Sequence, residues 1–168
     1  MRRAAALLGL ILVAACSSAP SPSPVTALVT QTIDGVVVTH PVDWHLVTGP
    51  TPPGGRAVPA FYLANAPLTV VPCPSIGADG TYTGCAQPIA ALPDGGVLVT
   101  VSPNLGLMEA APPQVNMIAL TESCQSISGE RSIEAVAAGM VVEACLRGPG
   151  IDQSEARVRE LVASMKFA

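Results

Sequence analysis

Val97-Leu98-Val99-Thr100-Val101 follows the turn signal Asp94-Gly95-Gly96 and is apolar at every position but one. β-Branched residues dominate it, and such residues fit a pleated surface. A run without polar alternation predicts a central strand that is buried on both faces.

Other strands are read from the same chemistry. Val36-Val37-Val38 follows Asp34-Gly35, a hairpin signal, with Thr26 to Thr32 as its partner and Pro41 as its end. Trp44 to Thr48, Phe61-Tyr62-Leu63 and Asn116 to Glu122 are further strands. Ser132 to Ala137 and Met140 to Leu146 form a hairpin that turns at Ala138-Gly139. Gly49 to Gly55, Pro67 to Pro93 and Gly106 to Gln114 carry the Gly and Pro of connecting segments. Near the end, Val158, Leu161, Val162 and Met165 recur at helical spacing. Asp152 with Glu155 three residues on fits a capping box, and Glu155 with Arg159 an i,i+4 ion pair. The expected class is α+β: a mainly antiparallel sheet with one C-terminal helix packed on it.

The amino-terminal end reads differently. Arg2 and Arg3 precede Ala4 to Val13, a run without charge. It is too short to span a bilayer, which takes about 20 residues, and suits a signal peptide. Leu12-Val13-Ala14-Ala15-Cys16 then resembles the lipobox of bacterial lipoproteins. The resemblance implies lipid on the Cys16 thiol, cleavage before it, acylation (palmitate) of the new terminus, and an extracytoplasmic protein anchored to the cell membrane. Several acyl chains at one residue would hold such an anchor stably. Residues 1–15 are thus the expected leader. Residues 16–24, with Ser and Pro alternating from Pro20, are a spacer, and 25–168 are a single globular domain.

Lys plus Arg total 8 and Asp plus Glu 12, a net charge of −4; loss of Arg2 and Arg3 with the leader would leave about −6. With no basic run and few aromatics, the chain lacks the footprint of a nucleic-acid binder. Setting Cys16 aside, Cys73, Cys85, Cys124 and Cys145 remain. An even number in an exported domain reads as two disulfides. Three connectivities exist, and Cys73–Cys85 with Cys124–Cys145 closes the shorter loops, each worth about 3 kcal/mol in the chain-entropy model. A four-cysteine zinc site would show C-x2-C spacing, which is absent.

Gly35-Val36-Val37-Val38-Thr39-His40-Pro41-Val42-Asp43-Trp44 resembles the opening of PsbP-like domains. The close does too: Glu143-Ala144-Cys145 in a strand, then a helix ending Leu161-Val162-Ala163-Ser164-Met165-Lys166-Phe167. The resemblance implies a mainly antiparallel sheet between helical layers, an α/β/α sandwich, in binding or assembly modules. Thr51-Pro52-Pro53-Gly54-Gly55 departs from it by forbidding the usual helix after Trp44, so a reduced, helix-poor variant is expected.

Candidate chemistry is sparse. His40, Asp43 and His45 are the one tight group of potential ligands or acid–base residues. A metal site needs three or four converging ligands, and on a continuous strand His40 and His45 would face opposite ways. The plainer reading is a turn capped by Asp43 beside a core Trp44. Ser75 and Ser128 lack the flanking glycines of a nucleophile elbow. No catalytic, metal or cofactor residues are therefore assigned. The expected function is a membrane-anchored, non-enzymatic module for an envelope protein partner or an apolar ligand. The alternative is a small envelope hydrolase using His40 or His45.

Overall fold

The computed structural model describes residues 27–50, 59–70, 86–104 and 106–168. Cys16, Ser17 to Pro24, Thr51 to Gly55 and the Cys73–Cys85 pair lie outside these residues. The described fold is α+β, with two antiparallel sheets and a C-terminal helix.

β1 (Leu28–Ile33) and β2 (Val36–Pro41) pair across Asp34-Gly35. Both turn residues have positive φ, 50° and 79°, the geometry that lets a two-residue turn follow the strand twist. β2 buries Val36, Val38 and His40. The chain then reverses at Val42-Asp43, where the Trp44 amide donates to the Pro41 carbonyl (3.1 Å). β3 (His45–Thr48) leaves for the other sheet, pairing with β4 (Phe61–Ala64), which pairs with β5 (Val97–Pro103). β6 (Asn116–Ile118), α1 (Glu122–Ser126), β7 (Arg131–Ala137), β8 (Met140–Leu146), α2 (Ile151–Ser164) and β9 (Lys166–Phe167) complete the order. The larger sheet runs β3-β4-β5-β8-β7-β6, and the smaller β1-β2-β9. Where the sequence suggested one sheet, the reversal at Val42-Asp43 divides the strands between two.

β5 is the central strand its composition predicts. Val97, Val99 and Val101 point into the main core with Phe61, Leu63 and the helix. Leu98 points the other way, among Tyr62, Leu92, Cys124, Ile127 and Cys145. Burial raises the pKa of the Tyr62 phenol above its ordinary value. Beyond β4, Asn65 replaces a peptide group. Its Oδ1 accepts from the Val97 amide and its Nδ2 donates to the Gly95 carbonyl, both at 2.8 Å. At Gly49 a Cβ would run into the Pro59 carbonyl oxygen, so only glycine fits where its amide donates to Ala60 (2.8 Å).

The apolar face of α2 is the one the spacing predicts: Val158, Leu161, Val162 and the following Met165 are all buried. It lies on β7 and β8 and against β2, and shares one core with β5. The capping box is not formed. Gly150, in the left-handed region, occupies the N-cap without a side-chain cap bond. Asp152 and Glu155 instead bind the Arg131 guanidinium of β7, at 2.7 and 2.8 Å. A cation offers a carboxylate a charge-assisted bond that a helix amide cannot match. Glu155 also takes Arg159 at 2.6 Å, the expected i,i+4 pair.

These contacts make stability pH-dependent. Arg159, then Arg131, hold the Glu155 carboxyl below its ordinary range against the opposing effect of burial. A carboxyl depressed in the folded state contributes fully above its unfolded pKa, and its contribution fades as pH falls through the folded value. Glu155→Gln is therefore expected to lower stability at neutral pH and to converge on wild type in strong acid. Urea midpoints across acid pH check this. A constant gap at all pH values would show that the pairs contribute nothing.

The expected strand from Asn116 to Glu122 stops at Ile118. Thr121 then caps α1, its hydroxyl accepting from the Cys124 amide (3.2 Å). Capping by Thr followed by Glu in the first turn favours helix here. Cys124 and Cys145 are joined as a disulfide.

Candidate functional site: a groove between the last helix and the first hairpin

The end of β2, the Val42-Asp43 reversal and the start of β1 form one wall of a groove, and α2 forms the other. Leu28, Pro41 and Trp44 face Leu161 across its floor. Helical spacing places Arg157, Glu160, Leu161 and Ser164 along the same wall. Two adjoining cavities, about 120 Å³ and 340 Å³, share Leu28, Pro41, Trp44, Arg157 and Glu160. Asp43 lines the second. The Ser164 hydroxyl donates to the Leu161 carbonyl (2.7 Å) and lies 3.4 Å from the Thr39 carbonyl, tying helix to hairpin.

The rim is charged and unneutralised. Among the described residues the side chains of Arg157, Glu160 and Asp43 make no hydrogen bond or ion pair, although Arg157 and Glu160 are only one helical turn apart. The other three described arginines are all engaged: Arg131 and Arg159 as above, and Arg147 on the Leu92 carbonyl (2.6 Å). Leu28 and Val42 leave 65 % and 63 % of their surface exposed at the same end.

The His40, Asp43, His45 group is not brought together as a site. His40 is 2 % exposed, and its Nδ1 lies 2.8 Å from the Pro41 carbonyl. A carbonyl only accepts, so Nδ1 carries the proton, and the buried Nε2 has no partner. His45 is exposed on β3, in the other sheet. Neither histidine has a hydroxyl or carboxylate partner among the described residues. Asp43 and Trp44 do sit in the reversal, as the plainer reading expects, but Asp43 caps nothing and joins the groove rim.

A second polar group lies on the opposite face of the larger sheet. Glu143 Oε1 accepts from the hydroxyls of Thr121 (2.7 Å) and Ser123 (3.1 Å). The Ser132 hydroxyl accepts from the Thr121 amide (3.1 Å). Glu134 stands directly opposite Glu143 in the ladder, an arrangement of like charges that destabilises a sheet; the two hydroxyls solvate the inner carboxylate. Cys124, Glu143 and Cys145 cluster in a manner open to a metal ion. The two sulfurs are bonded to each other, however, and a metal needs thiolates. This cluster fastens α1 to β8.

Sequence reasoning missed the groove residues of α2. Arg157 and Glu160 lie off the buried stripe of α2, and only the placement of β1 and β2 opposite them makes a site. Their one sequence signal is that they flank Leu161 on the edge of the apolar stripe. Compared with protein-family models, curated proteins and solved structures, the chain finds no match.

Proposed function

We propose that this chain is a membrane-anchored, extracytoplasmic lipoprotein, held through lipid on Cys16, that acts as a non-enzymatic recognition module. The observation that carries the reading is the groove of α2 and the β1–β2 hairpin. Its floor is apolar and its rim offers both signs of charge without internal partners. Leaving three charged groups unpaired beside exposed Leu28 and Val42 gives the fold nothing, but it suits a surface that meets a partner. The lipobox and the likeness of the hairpin to PsbP-like domains support the same reading.

A photoreactive residue at Val42, in lipidated protein in intact cells, is expected to give discrete adducts. The same probe at Glu122, exposed on the far face, is expected to give none. Arg157→Glu should abolish the Val42 adducts. Equal adducts from both positions, unaffected by Arg157→Glu, would remove the groove as the binding site.

A further inference from the structure

We infer that the groove takes the zwitterionic headgroup of a phospholipid from the bilayer to which the chain is tethered, with phosphate on Arg157 and ammonium at Glu160 and Asp43. This rests on the groove being the binding site of a tethered module, and adds what the site binds.

The position of the groove is the first support. β1 begins at Leu28, and the Val42 amide donates to the Ala27 carbonyl (2.9 Å). Ala27, the first described residue, therefore lies at the groove rim. Even fully extended, the chain from Cys16 to Ala27 reaches at most about 40 Å. Lipid on Cys16 would keep this end of the domain nearest the bilayer. Leu28 and Val42, both mostly exposed, are placed there to lie against the glycerol and upper acyl region.

Charge is the second support. A simple anion would meet Arg157 but also two carboxylates. A simple cation would meet the carboxylates but also the guanidinium. A zwitterion satisfies both. Guanidinium matches the paired oxygens of a phosphate. A primary ammonium donates hydrogen bonds to carboxylates, whereas a quaternary ammonium has no N–H to give, so ethanolamine is preferred to choline. The affinity need not be high, because a short tether supplies an effective concentration in the millimolar range.

Trp44 is the one tryptophan of the chain and lines both cavities. The test places the lipidated full chain in vesicles whose acyl chains carry bromine near the headgroup. Trp44 emission is expected to fall by roughly half in phosphatidylethanolamine vesicles, given occupancy at millimolar effective concentration, and to change little in phosphatidylcholine. Arg157→Glu should abolish the quenching. Val42→Asp, a change at an exposed turn, should do the same with circular dichroism unchanged. Absent quenching, or equal quenching in both lipids that survives Arg157→Glu, overturns the inference. If Trp44 is unquenched while the Val42 photoprobe still captures a protein in an Arg157-dependent way, the groove is a protein site: the lipid inference fails and the recognition reading stands. Loss of both signals removes both.

Discussion

Leu161→Ala is expected to lower stability by about 2–5 kcal/mol, the range for emptying a buried leucine site. Leu161 is 5 % exposed and belongs to the core that joins α2 to β2, β7 and β8. A helix of this length is marginal alone, so its stability comes from this packing. Leucine shortened to alanine removes contacts with two layers at once, and the neighbouring Val158 and Val162 cannot close the gap without moving the helix. Arg157→Ala, one turn earlier on the exposed rim, is expected to cost no more than about 0.5 kcal/mol. Urea denaturation with disulfides intact reads both. An unmoved midpoint for Leu161→Ala, beside a shift for Arg157→Ala, would mean that the helix turns its other face inward.

Replacing Cys124 and Cys145 together by serine is expected to cost about 3 kcal/mol from chain entropy alone, for the 21-residue separation of the bridge. In a domain of this size that corresponds to a fall in Tm of roughly 6–12 °C. The bridge is buried on the face that carries Leu98, Tyr62 and Ile127, so two hydroxyls would also enter an apolar cluster. The Thr121 and Ser123 bonds to Glu143 would then hold α1 without covalent help. Calorimetry of the double variant checks this. A Tm within a degree or two of wild type would show that the hydroxyl network and Ile127 suffice.

Much of the fold was legible because its signals are local. Asp34-Gly35 and Ala138-Gly139 both take the positive φ their hairpins need, and the strands on either side are rich in β-branched and apolar residues. The α2 stripe needed nothing beyond its spacing. What failed was long-range or short. α1 has five residues, too few to show a period, and Thr121-Glu122 reads equally as the end of a strand. Asp152 and Glu155 have the spacing of a cap, but their partner is Arg131 on a strand 21 and 24 residues earlier, which spacing cannot reveal. The division into two sheets follows from the reversal at Val42-Asp43, which the sequence marks as a turn without showing where the next strand pairs. For the site, the sequence pointed to the right turn for the wrong reason. His40 and His45 drew attention to it, yet one is buried and the other lies on a different sheet. The groove exists because β2 and α2, far apart in the chain, stand side by side, with exposed charges that look ordinary on either element alone.

Trp44, on the floor of the groove, reports directly whether the groove is occupied when the protein sits in its envelope. Fluorotryptophan incorporation gives a single fluorine resonance, because Trp44 is the one tryptophan. Fluorine NMR of the lipidated protein is to be compared between native envelope vesicles and detergent. The expected result is a distinct chemical shift in the envelope that returns to the detergent position in Arg157→Glu. The same shift for wild type in both environments would contradict the account.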